Sequence, residues 1–148
     1  MSTTEDSLIF LRAPRSLPRR PLRAFASQIG RGIAGGQSFC CLITDDRELR
    51  RLNRQFLGKA YPTDVLSFPE PGPDGFLGEL AVSVDRAREQ ARAHGHSLVE
   101  EIQILMLHGL LHLMGMDHES DRGRMARAES RWRKRLGLPG GLIERVRP

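Results

Sequence analysis

Apolar and polar positions fall in short blocks along the chain, and the period of each block predicts its element. Residues Ser7 to Ala13 form a short apolar run that reads as a strand. Arg15 to Arg20 is a basic, proline-containing connector. From Pro21 to about Ile33, Leu22, Phe25, Ala26 and Ile29 recur at helical spacing, and the glycines between 30 and 36 end that helix. Gln37 to Thr44 carries Phe39, Cys40, Cys41, Leu42 and Ile43, a second strand buried on at least one face. Asp45 and Glu48 have capping-box spacing and open a helix to about Phe56, with Leu49, Leu52 and Phe56 on one stripe. Arg47, Arg50, Arg51 and Arg54 lie on its other face. Gly58 to Pro62 is a loop, Asp64 to Phe68 a third strand, and Pro69 to Gly75 turn material. Gly78 to Ser83 reads as a fourth strand, antiparallel to the third.

Asp85 to about His94 is a polar helix, and Ser97 with Glu100 forms a second capping box. The helix it opens carries Ile102, Ile104, Leu105, Met106, Leu107, Leu110 and Leu111 around most of its cylinder, so it should be the central buried helix. Asp121 to Leu136 is a charged helix with Met125, Ala128, Trp132 and Leu136 inward, and about 138–148 reads as a loose tail. The order β-α-β-α-β-β-α-α-α predicts an α+β fold: one domain over 1–148, a small mixed four-stranded sheet with helices packed on it.

Composition narrows the class. With 148 residues, 39% hydrophobic and 28% charged, the chain can build a real core. No apolar run approaches membrane-spanning length, and the polar start Met1 to Ser7 lacks a basic-then-apolar leader pattern. Cys40 and Cys41 are adjacent, a poor structural staple that suits strand packing in a reducing cytoplasm. A net charge of +5 admits a polyanionic partner, although Arg47, Arg50 and Arg51 on the second helix fit a solvated face better than individual RNA contacts.

The central helix also carries the chemistry. His108 and His112 are four apart, so both imidazoles project from one helix face. Gly115 can end the helix at positive φ and turn the chain back, which lets His118 return to the same ion. Three imidazoles with a fourth position open describe a catalytic zinc site better than a structural one. The spacing H-x-x-x-H-x-x-G-x-x-H matches that of the metzincin proteases, but their glutamate base is replaced by Gly109, which argues against peptide hydrolysis. Asp117 could order the site from behind the ligands or cap the following helix.

Two further stretches bring in a resemblance. Leu52-Asn-Arg54-Gln-Phe56-Leu-Gly58-Lys59-Ala-Tyr-Pro62-Thr63-Asp64-Val-Leu-Ser67-Phe68-Pro69 precedes Gly78-Glu79-Leu80 and the His108 to His118 block. Together, and through Met125, Glu129 and Leu136-Gly137, they resemble the YbeY family of bacterial endoribonucleases. The resemblance covers about Thr44 to Gly137. It implies one Zn²⁺ on His108, His112 and His118 and a basic cleft for single-stranded RNA. It also implies a cytoplasmic role in ribosomal RNA maturation and quality control on the small ribosomal subunit, with no organic cofactor or membrane partner. The usual arginine before Gly-Lys is Leu57 here, and the usual aspartate after it is Ala60. Lys59 is retained, and Arg54, one helical turn before Leu57, is the candidate to replace the missing charge. Zinc lowers the pKa of its bound water toward about 7. Such a site could attack a phosphodiester directly or help deprotonate the 2′-hydroxyl, with Lys59, Arg54 and Asp117 as candidate catalytic residues. Two rival readings are a zinc metallopeptidase and a non-catalytic ribosome-assembly factor with a structural metal.

Overall fold

A computed structural model describes residues 8–57, 63–117 and 122–140. The strands are β1 (Leu8–Phe10), β2 (Ser38–Thr44), β3 (Val65–Pro69) and β4 (Phe76–Ser83). The helices are α1 (Arg19–Gly32), α2 (Asp46–Leu57), α3 (Val84–His94), α4 (Leu98–Leu113) and α5 (Arg124–Leu136). Helix α1 starts two residues before the sequence expectation because proline is tolerated in a first turn, where its missing N–H has no partner to lose.

The four strands form one mixed sheet in the order β1-β2-β4-β3. Strand β2 runs parallel to both β1 and β4, and β3 pairs antiparallel with β4, as expected. The β3–β4 hairpin closes through a 3₁₀ turn at Pro73–Gly75. Gly78 makes that pairing possible. Its φ is +143°, and a Cβ there would sit 2.4 Å from the Phe68 carbonyl oxygen.

Strand alternation divides the core into two layers. Phe39, Cys41, Ile43, Leu80 and Val82 face α1, α4 and α5 in the main core, to which α3 adds Val84 and Ala87. On the other face, Leu66 and Ala81 pack under Leu49 of α2, with Leu42, Leu52 and Phe68 at the margin. Helix α4 is the centre of the main layer, as its nearly all-round apolar surface predicts. Ile102, Ile104, Leu105, Met106, Leu107, Leu110 and Leu111 are all fully buried, and each such side chain contributes about 1.5–3 kcal/mol relative to exposure. Its start is fixed by a complete capping box: Ser97 Oγ accepts from Glu100 N–H, and the Glu100 carboxylate accepts from Ser97 N–H.

Helix α4 also crosses the sheet very closely. A Cβ on Gly109 would lie 2.7 Å from Leu80 Cδ2, and Ser67 Oγ–H donates to the Gly109 carbonyl at 3.3 Å. Helix α5 starts at Arg124, three residues after the sequence expectation. It buries Met125, Ala126, Ala128 and Glu129 and ends on Gly137 at φ +70°. The predicted loose tail needs correcting at its start. Leu138 is buried in the main core and its N–H bonds the Arg133 carbonyl, which closes the end of α5; residues 141–148 lie outside the described ones.

Candidate functional site

The last two turns of α4 present His108 and His112 side by side. Their ring centroids are 4.8 Å apart with planes at 78°. His108 is buried and His112 half-buried, so the pair emerges from the core where α4 ends. That end has the geometry expected for Gly115. Its φ is +91°, its N–H bonds the His112 carbonyl, and Met116 N–H bonds the Leu111 carbonyl in a Schellman arrangement. The fold-back carries the Met116 carbonyl to His112, whose Nδ1–H donates to it at 2.9 Å. A carbonyl can only accept, so in the neutral ring the Nε2 nitrogen holds the lone pair.

His108 is held by a different element. Its Nδ1 lies 2.7 Å from Glu129 Oε2 of α5, within hydrogen-bond distance, and Glu129 is fully buried. Sequence reasoning gave Glu129 no role. The signal was there: it lies four residues after Met125 on the inward stripe of α5, where a charged residue needs a partner. Two imidazoles on one helix face, each with Nδ1 bonded behind it, have the donor chemistry of a divalent-metal site with oriented histidine ligands.

The other expected site residues are placed as follows. His118, the third expected ligand, and Lys59 lie outside the described residues. Among the described residues no group of three or more His, Cys, Asp or Glu side chains is set to hold a metal ion. Asp117 is exposed and follows Met116, whose carbonyl holds His112. Arg54 is exposed on α2, on the sheet face opposite α4, where it lines a groove of about 1000 Å³ with Arg12, Asp46, Arg47 and Arg50. Neither histidine lines that groove.

Several arginines at the groove are committed to carboxylates. Arg50 pairs with Asp46 at 3.3 Å, and Arg51 pairs with Glu48 at 2.7 Å. Arg12 reaches both Asp45 and Glu48, tying the end of β1 to the start of α2. The hydrogen bond from Arg51, aided by its charge and that of Arg12, lowers the Glu48 carboxyl pKa against the opposing effect of burial. Glu48 N–H bonds Asp45 Oδ1, which provides the cap expected at that helix start. The two cysteines behave as packing residues. Burial raises the pKa of both thiols, with the Glu79 charge adding to the effect at Cys40, so neither thiolate is favoured.

Comparisons with known proteins fit this geometry. The sequence pattern of the family described as Endoribonuclease YbeY matches residues 21–137. An Endoribonuclease YbeY of Solibacter usitatus is 58% identical over 147 residues, covering 99% of both chains. One from Nautilia profundicola is 50% identical over 105 residues, covering 70% of this chain and 76% of its own. The solution structure of a Thermotoga maritima protein aligns with a TM-score of 0.59 at 25% identity, over 84% of this chain and 85% of the other. A match that takes in α2, the β3–β4 hairpin and the histidine helix in one continuous span leaves a single conclusion: the chain belongs to the YbeY endoribonuclease family.

Proposed function

We propose that this chain is a zinc-dependent endoribonuclease that cleaves single-stranded RNA during ribosomal RNA maturation and quality control, acting on the small ribosomal subunit in the cytoplasm. The observation that carries the reading is the pair of imidazoles at the end of α4, each with its Nδ1 bonded behind it. His108, His112 and His118 would hold the ion. Zinc supplies Lewis acidity toward a phosphoryl oxygen and a water acidified to near-neutral pKa.

The chain's own residues do the rest. His108 and His112 present Nε2 nitrogens from a rigid helix, so little reorganisation accompanies loading. Lys59 would offset charge that develops on the phosphate oxygens. Asp117, beside the fold-back, would help order the ligands. Arg47 and Arg54, on the α2 groove, would hold the RNA backbone through salt-sensitive contacts. Among the described residues few aromatic side chains are exposed for base stacking, so sequence preference should be weak. Peptide hydrolysis is disfavoured by packing as well as chemistry. A glutamate at 109 would have to enter space filled by Leu80, so the metzincin base has no room on this helix.

The test is cleavage of a single-stranded RNA and of casein by purified protein, with zinc content measured and with and without chelator. RNA cleavage should require the ion, and His112→Ala should lose zinc and cleavage together. Metal-free protein cleaving RNA at the wild-type rate would overturn the reading. Full zinc occupancy with no cleavage but tight binding to pre-ribosomal particles would favour the assembly-factor role that the Leu57 departure suggests.

A further inference from the structure

Glu129 is a fully buried carboxylate on the otherwise apolar inner stripe of α5. Burying a charge costs free energy, and replacing a buried ionic contact by apolar packing is often neutral or stabilising. Stability alone therefore gives a weak reason for a glutamate here. Its contact with His108 gives a stronger one. The Oε2 oxygen sits 2.7 Å from His108 Nδ1, behind the ring and 21 residues away in sequence.

We propose that Glu129 is a positioning residue for the metal centre: it holds His108 in the Nδ1–H tautomer, fixes the plane of the ring and strengthens Nε2 as a donor toward a divalent cation. This rests on the zinc reading above. The two imidazoles are set by different devices. His112 is held by the Met116 carbonyl of its own turn, a neutral backbone acceptor that no side-chain substitution removes. His108 is held by a carboxylate side chain from another helix, a stronger acceptor for a ring N–H than a neutral carbonyl. Docking of α5 and affinity for the ion are thus linked through the Glu129–His108 contact.

The chain provides its own control. Half-buried His96 and fully buried Glu101 form a second histidine–carboxylate pair, at 2.5 Å. Glu101 precedes His108 by two helical turns, about 10 Å along α4. Glu101→Gln perturbs a pair of the same kind without touching the acceptor of either imidazole at the end of the helix.

The experiment has two arms on the full-length protein. In the first, long-range proton–nitrogen NMR correlations on metal-free protein report which ring nitrogen of each histidine is protonated. In wild type, His108 and His112 should both be Nδ1–H. Glu129→Leu should move His108 toward the Nε2–H form and leave His112 unchanged, whereas Glu129→Gln keeps an acceptor and should keep the tautomer. In the second, zinc affinity is measured by competition with a chromophoric chelator. Glu129→Leu should weaken it about 10–100-fold. Glu129→Gln should weaken it a few-fold through loss of the charge, and Glu101→Gln should leave it unchanged. Wild-type zinc affinity in both Glu129 variants would overturn the proposal, as would an unmoved His108 tautomer in Glu129→Leu. Wild-type affinity in Glu129→Gln alone overturns it if the leucine variant does not fold. A wild-type protein that takes up no zinc while His108 responds as expected would instead overturn the zinc reading, and leave Glu129's hold on the ring standing.

Discussion

Gly109 shows how a single position can serve packing and chemistry together. In the sequence it registers only as a missing protease base. In the fold it is the point where α4 meets β4, and a methyl group there would fall 2.7 Å from Leu80 Cδ2 and 3.2 Å from Cδ1. Gly109→Ala should gain about 1 kcal/mol of helix propensity. It should lose about 1–3 kcal/mol to overpacking against a fully buried leucine. The expected net is a lower denaturant midpoint, with positive coupling to Leu80→Val in a double-mutant cycle. Glu48 makes a different kind of residue-scale prediction. Its native pKa is lowered, chiefly by the Arg51 hydrogen bond, so its contribution to stability is fully present above the ordinary glutamate range. That contribution is lost as pH falls through the lowered native value. The stability gap between wild type and Glu48→Gln should therefore close on acidification below about pH 4. A gap that widens there would contradict the ion-pair account.

At the scale of elements, the ends of α4 and the turn into β4 carry the sharpest expectations. Ser97→Ala removes one half of the capping box and should cost about 1 kcal/mol, with the denaturant slope unchanged. Gly78→Ala should cost more, about 3 kcal/mol, because the positive φ is strained for alanine and its Cβ would strike the Phe68 carbonyl. Each helix and strand was legible because its period and caps are local. Ser97 and Glu100 announce the start of α4, Gly115 its end, and the apolar run between them its burial. What was not legible depends on elements far apart in sequence. Strand β2 neighbours β4 although β3 lies between them along the chain, and periodicity says which residues form strands without saying which strands pair. For the same reason α2 could not be assigned to the face opposite α4, which separates Arg54 from the imidazoles. Glu129 was missed because its partner lies on another helix. His108 and His112 were readable because four residues on one helix already make them neighbours.

For the molecule as a whole, the proposed metal centre sits at the edge of the main core, where α4 ends. Apart from Glu129 and Ser67, the residues that bury α4 are mostly hydrocarbon, so folding should not wait for the ion. Chelator-treated protein should keep its far-UV circular dichroism, in contrast to small zinc domains that unfold without metal. Adding zinc at a hundred times its Kd should then raise stability by about 2.7 kcal/mol, read as a Tm increase of about 5–10 °C. Collapse of the fold on chelation would show that the ion is structural. Adjacent cysteines in β2 have a consequence of another sort. Cys41 points into the main core with no exposure, while Cys40 points to the other face and is half-buried. A Cys40→Ser protein would thus carry one thiol that an alkylating reagent reaches only when the sheet opens. Its labelling rate would clock that opening directly, a chemical stopwatch placed in the middle of the molecule.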